Sequence, residues 1–288
     1  TVNRPDAPVL IDQEGGRVQR LGPPHWGRYP PGRAYGALDG NDPLMRREIT
    51  RLGARLMAHD LAALGINVDC VPVLDVPDPL GHEIIGDRAY GQTPDDVALL
   101  GRAAAEGLIA GGVLPVIKHI PGHGRAMADS HLELPVVTAS WDDLEGRDFA
   151  PFKALSDMPM AMTAHVIYAA IDRRRPATTS RSVMRRAIRG AIGFDGLVMS
   201  DDLSMKALCG DFTERARASL AAGCDVGLHC NGGMDEMKAV VAGTGPLKGR
   251  AAARARAALG RLAKAPEPFD AAEGRARFDA AFGGRFAA

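Results

Sequence analysis

The feature that most constrains this chain is a recurring unit: a short apolar run ending in an aspartate or histidine, followed by a longer stretch with helical spacing. Six runs are read, Pro8 to Asp12, Val68 to Asp75, Leu114 to His119, Met160 to His165, Leu197 to Asp201 and Cys224 to His229. Such alternation marks parallel strands joined by crossover helices, since a tight turn cannot connect a parallel pair. In a closed parallel barrel every strand opens at its carboxyl end onto one face. Asp12, Asp75, His119, His165, Asp201 and His229 are therefore expected to converge on one pocket. Any one of them is as readily a helix cap or a loop-backbone partner, but six in succession fit that reading poorly.

The helices between the runs carry their own boundaries. Asp42 and Pro43 open one that Gly65 closes, and Thr93 and Pro94 open another closed by Gly111 and Gly112. Ser140 with Asp143 resembles a capping box, Ser180 caps a helix carrying Val183, Ile188 and Ile192, and a helix over 213–222 leads into the sixth run. The Ala/Arg-rich stretch 248–265 is helical by propensity, its arginines a solvated face. No interdomain linker interrupts the pattern, and barrels of this class run to about 250 residues. Residues 1–288 are accordingly read as one barrel domain.

Lysine plus arginine equal aspartate plus glutamate at 35 each, so no global field favours nucleic acid or an anionic membrane. A compact, near-neutral small molecule suits the chain better. No run approaches the roughly 20 apolar residues of a membrane span, and no signal peptide is read, so cytoplasmic residence is expected. Cys70, Cys209, Cys224 and Cys230 lack paired zinc-type spacing and are expected to be reduced core thiols.

The densest chemical cluster is Lys118-His119-Ile120-Pro121-Gly122-His123-Gly124, followed by Asp129-Ser130-His131. His119 and His123 are spaced as in a zinc-binding helix, but Pro121 and the glycines argue against a helix there. A metal-dependent hydrolase using His119, His123 and His131 remains a second reading. Asp129 lies two residues from His131, where a carboxylate on a tight loop can orient an imidazole as general acid/base; an ordinary turn is the alternative. Asp201 and Asp202 are adjacent at a strand end, so one faces the barrel axis and the other, Asp202, is expected to cap a helix beginning near Ser204 or to support the site from behind. An ionised Asp201 at a pocket mouth is suited to attack a sugar carbon. Asp12 with Arg20, and Arg88, are placed to hydrogen-bond a polyhydroxylated ligand, with surface ion pairs as the alternative for both arginines.

Three motifs, Ile11-Asp12-Gln13-Glu14-Gly15-Gly16-Arg17-Val18-Gln19-Arg20, Lys118 to Gly124 through Asp129-Ser130-His131, and Ser200-Asp201-Asp202-Leu203-Ser204-Met205, carry a resemblance. Together with Gly86-Asp87-Arg88 they make the chain similar to the bacterial β-N-acetylhexosaminidases of glycoside hydrolase family 3. The resemblance implies a retaining mechanism with Asp201 as nucleophile and His131, held by Asp129, as acid/base. Asp12, Arg20, Arg88, Lys118 and His119 would bind the N-acetylglucosamine ring, without cofactor or metal. It further implies release of N-acetylglucosamine from anhydromuropeptides in bacterial cell-wall recycling, with water or phosphate as acceptor. Family members ordinarily carry two more strands before the Asp-Gln-Glu-Gly-Gly segment, so the expected fold is a TIM-type (β/α)8 barrel lacking its first two strands in this chain. The run Gly122 to Ala128 is expected to make the His131 loop mobile. A sugar-binding protein without catalysis is the third reading.

Overall fold

A computed structural model of the protein describes residues 7–38, 42–130 and 132–286. One sheet holds six strands, β1 (Leu10–Ile11), β2 (Val68–Asp69), β3 (Leu114–Ile120), β4 (Met160–Thr163), β5 (Leu197–Asp202) and β6 (Val226–Leu228). They lie side by side in chain order and every pairing is parallel. Sequential parallel order requires a crossover after each strand in one sense, which curls the sheet into part of a (β/α)8 barrel. Among the described residues β1 and β6 do not pair with each other, so the sheet stays open.

Side-chain alternation divides the core. Val68, Cys70, Leu114, Val116, Met160, Met162, Leu197 and Met199 form one buried cluster at every second strand position. The opposite parity, Ile117, Ala161 and Val198, packs with Phe149, Phe152, Ile188 and Phe194 outside the sheet. Strands buried on both faces read as continuous apolar runs, as the sequence has them.

Helix α1 (Pro43–Ala63) starts where the Asp42 carboxylate accepts the Leu44 N–H at 2.9 Å, and Gly65 beyond its end takes φ +76°. Helix α2 (Pro94–Ala110) starts where Thr93 Oγ1 accepts the Asp96 N–H at 3.2 Å. Ser140 and Ser180 cap short helical turns that continue as π-helical stretches over Leu144–Asp148 and Met184–Ala191. Helix α3 (Phe212–Ala222) opens with a reciprocal cap between Asp211 and Glu214, one residue before the expected Thr213. It is followed by α4 (Met234–Gly243) and α5 (Gly249–Gly260), whose Ala255 and Ala258 join the interior cluster. Helix α6 (Ala271–Ala281) was not anticipated. Its Phe278 is buried beside Tyr29 and Tyr35, with ring centroids 6.2 Å away in each case.

Three expectations need correction. The run Val68 to Asp75 is a strand only to Asp69, because Pro72 has no N–H for the ladder; the chain rejoins at a single bridge, Val73 to Lys118. No helix begins near Ser204; residues 203–210 form turns before α3. All four cysteines are free, but only Cys70 and Cys224 are buried, while Cys209 and Cys230 are exposed.

Candidate active site

The chain leaves β1 through a small antiparallel hairpin, Gln13–Gly15 against Val18–Gln19. The Gln13 side chain locks it: Oε1 accepts the Arg20 and Leu21 N–H groups at 2.8 and 3.0 Å, and Nε2 donates to the Leu21 carbonyl at 2.7 Å. Asp12 and Glu14, two positions apart, both reach Lys118. The Lys118 ammonium lies 2.8 Å from Asp12 Oδ1 and 2.6 Å from Glu14 Oε1, and Arg88 meets both Glu14 oxygens at 2.8 Å. Two cations thus neutralise two carboxylates. Burial pushes Glu14 up, but Lys118 and Arg88 outweigh it and hold the carboxyl at about 2. Burial pushes Lys118 down, and Glu14 and Asp12 more than reverse this, so it stays an ammonium.

Asp75, fully buried, organises the histidines at the end of β3. Its Oδ2 faces His119 Nδ1 at 2.7 Å, and Oδ1 accepts the backbone N–H groups of His119 and His123 at 3.2 and 2.7 Å. A carboxylate at Nδ1 fixes that nitrogen as the donor and thereby the ring orientation of His119. Burial raises Asp75, and the two histidines override it, leaving the carboxyl below its usual range. His123 Nε2 lies 3.2 Å from Ser130 Oγ, and burial together with His119 lowers the His123 imidazole to about 4.

Asp201 and Asp202 end β5. Asp201 Oδ1 accepts the Asp202 N–H at 2.7 Å; burial pushes its carboxyl up, but His165, His119, that N–H and Lys118 together hold it below the usual carboxylate range. Asp202 Oδ1 accepts the Ser204 and Cys230 N–H groups at 3.0 and 3.1 Å, tying together the loops after β5 and β6. His165 bridges the Thr178 hydroxyl at 2.7 Å and the Asp202 carbonyl at 3.0 Å.

Asp12, Arg20, Arg88, Lys118, His119 and Asp201 all line one cavity of about 410 Å³ at the carboxyl ends of the strands. Arg20 stands 3.9 Å from Asp12 and is the most exposed of them. Of the six strand-end residues, Asp12, His119 and Asp201 line the cavity. The other three do not: Asp75 holds His119, His165 holds the Asp202 carbonyl, and His229 lies 3.2 Å from Glu236. Asp129 is half-buried beside Ser130, which lines the cavity; His131 lies outside the described residues.

The stretch 122–126, at the start of the run expected to be mobile, is held by specific contacts. The Tyr168 hydroxyl donates to the Gly122 carbonyl at 2.7 Å, the Asp78 N–H donates to Gly124, and Arg125 pairs with Asp148 at 2.8 Å. A Cβ on Gly124 would stand 1.9 Å from the Val76 carbonyl oxygen, so that glycine serves close packing rather than mobility. Only Met127 in 122–128 is exposed.

Glu14 and Cys230 also line the cavity, and neither is among the residues expected there from sequence. The available signal for Glu14 was its spacing of two from Asp12, which shares a face in extended chain. For Cys230, exposed and lining the cavity, there was none. Among the described residues no three histidine, cysteine or carboxylate side chains are grouped to hold a metal ion, and no helix is long and apolar enough to cross a membrane.

The family model described as the glycosyl hydrolase family 3 N terminal domain matches residues 3–263. A β-hexosaminidase of Bordetella avium is 40% identical over 227 residues, 77% of this chain and 64% of the relative. One from Thiobacillus denitrificans is 42% identical over 231 residues, 78% of this chain and again 64% of the relative. The chain therefore spans just under two thirds of the length of these curated relatives. The crystal structure of NagZ from Neisseria gonorrhoeae in complex with N-trifluoroacetyl-D-glucosamine superposes with a TM-score of 0.83 at 33% identity, covering 95% of this chain and 81% of that one. A family 3 β-N-acetylglucosaminidase from Paenibacillus gives 0.84 at 30% identity, covering 95% and 56%.

Proposed function

The chain belongs to glycosyl hydrolase family 3 through the family's N-terminal domain, and on that footing we propose that it is a retaining β-N-acetylglucosaminidase with Asp201 as nucleophile. The observation that carries the reading is the state of Asp201: a carboxylate at a strand end, held ionised, in a cavity it shares with Asp12, Lys118, His119 and Arg88.

Retention requires two displacements. Asp201 attacks the anomeric carbon as the glycosidic oxygen takes a proton, forming a glycosyl-enzyme; water then attacks the same carbon, its proton passing to the group that served as acid. Most retaining enzymes use a second carboxyl for that proton. Here the other carboxylates lining the cavity are engaged: Glu14 is ionised between Lys118 and Arg88, Asp12 is paired with Lys118, and Asp202 bonds Ser204 and Cys230. We assign the role to His131, oriented by Asp129, since an imidazole with a pKa of about 6.5 can both give and accept a proton near neutrality. Asp12 and Lys118 supply acceptor and donor atoms to sugar hydroxyls, with His119, Arg88 and Arg20 completing the polar wall. No cofactor enters this chemistry.

The natural substrate we assign is an N-acetylglucosaminyl anhydromuropeptide, consumed in cytoplasmic cell-wall recycling; the β-hexosaminidases of Bordetella and Thiobacillus and the N-trifluoroacetyl-D-glucosamine in the Neisseria structure support its hexosamine end, and the rest is carried by the family resemblance. The test is turnover of an aryl β-N-acetylglucosaminide by the protein and by Asp201→Asn. The substitution should remove activity by a factor of at least about 10³, the scale of losing an essential nucleophile. Turnover that survives it removes Asp201 from the role. A chelator should leave the rate unchanged; loss of activity on chelation would favour a metal-dependent hydrolase instead.

A further inference from the structure

A second cavity, at about 740 Å³ larger than the first, runs along α3 and the segment 174–181. It is separated from the sugar cavity by a thin wall, where the Ala207 N–H donates to the Ser130 carbonyl; Ser130 faces one cavity and Ala207 the other. Its floor is apolar, formed by Leu134, Pro176, Leu208 and Ala222. Its rim carries the exposed arginines Arg174, Arg175, Arg181 and Arg217.

The nearby carboxylates keep their charge but are each held in place, and Asp172 also feels the charge of Arg175. Glu214 is held in the reciprocal cap with Asp211, and Asp172 accepts from the Ser180 hydroxyl at 2.7 Å and the Arg174 N–H at 3.0 Å. Arg215 is spent on the carbonyls of Leu203, Met205 and Gly210. Among the described residues none of the four rim arginines forms an ion pair. The chain as a whole has no net charge, so Arg174, Arg175 and Arg217, with Arg181 donating to the Ala221 carbonyl at 3.2 Å, are a local concentration rather than a consequence of a basic composition, in excess of the one carboxylate, Glu214, that lines the same groove. Such a field draws an anion, and the planar guanidinium fork matches carboxylate oxygens two at a time.

We propose that this groove binds an acidic peptide, its glutamate or aspartate side chains on the arginine rim and small apolar side chains on the floor. A single-stranded nucleic acid would need aromatic faces on which bases stack, and among the described residues the groove is lined by none. The site is separate from the sugar cavity and stands independently of the reaction assigned there.

Two exposed thiols report on the two cavities separately, Cys209 in the groove and Cys230 in the sugar cavity. Iodoacetamide labelling of the whole chain, read residue by residue by mass spectrometry, is measured with and without a hexapeptide of alternating glutamate and alanine at low salt. Saturating peptide should slow alkylation of Cys209 by about fivefold or more and leave Cys230 unchanged. The glutamine counterpart should not protect, and added salt should weaken the effect, as screening requires. Arg174→Glu with Arg175→Glu should abolish protection; both side chains are exposed, so Tm and aryl-glycoside turnover should be unaltered. The inference fails if Cys209 reacts at the same rate with peptide present, if the glutamine peptide protects equally, or if an oligonucleotide protects better. Protection of Cys230 by N-acetylglucosamine is a separate arm that bears on the sugar site alone.

Discussion

Replacing Glu14 by glutamine tests the buried charge cluster directly. Glutamine keeps the shape and leaves Lys118 and Arg88 facing Asp12 alone, so a buried region that was balanced gains one uncompensated positive charge. Holding the Glu14 carboxyl from 4.5 down to about 2 corresponds to roughly 3 kcal/mol of stabilisation of its ionised form by the fold. Breaking a buried pair by removing one partner typically costs about 3–5 kcal/mol, which agrees. At about 2–4 °C per kcal/mol for a chain somewhat shorter than this one, Tm should fall by roughly 6–10 °C near neutral pH. The folded value lies below the unfolded one, so the contribution is complete above about pH 4.5 and is lost as pH falls toward 2. The gap between the two proteins should therefore narrow by about 1 kcal/mol by around pH 3.5. Adding Lys118→Met returns the cluster to neutrality and should recover part of the loss. Thermal unfolding followed by circular dichroism across that pH range is the assay. A Tm unchanged within about 1 °C, or a gap that does not narrow in acid, would refute the electrostatic reasoning.

Asp75→Asn should leave the His119 ring without its carboxylate and lower kcat/KM by about tenfold or more, with KM for an aryl N-acetylglucosaminide carrying part of the change; steady-state kinetics beside a melting curve separates positioning from unfolding. Gly124→Ala places a methyl against the Val76 carbonyl and should cost about 1–3 kcal/mol, read in urea unfolding; an unchanged midpoint would show that this stretch yields freely. Phe278→Ala should cost about 3–5 kcal/mol through the cavity left among Tyr29, Tyr35 and Phe282, with kcat unaltered, because helix α6 stands apart from the sugar cavity.

Much of this architecture was legible because a parallel strand buried on both faces writes itself as an uninterrupted apolar run. Leu114–Ile120, buried at every position, is the clearest case. The helix starts at Asp42 and Thr93 were legible for a local reason, since the cap is made within three residues of the signal. What depends on contacts distant in sequence was not. Glu14 becomes the hub of the cluster only when Lys118 and Arg88 arrive from elements 104 and 74 residues away. Glycines 122 and 124 read as flexibility in isolation, and only the presence of Asp148 and Val76 turns them into packing requirements. His165 and His229 were placed correctly at strand ends, yet the irregular turns beyond those ends direct them to Thr178 and Glu236 instead of the cavity.

The central claim is a covalent bond between the Asp201 carboxylate and a sugar. Incubating the protein with a fluorinated N-acetylglucosaminyl label that slows the second displacement, followed by proteolysis and mass spectrometry, tests it most directly. One added sugar is expected on the peptide containing Asp201, and none in Asp201→Asn. A label on any other residue, or active turnover with no trapped adduct at Asp201, would contradict it.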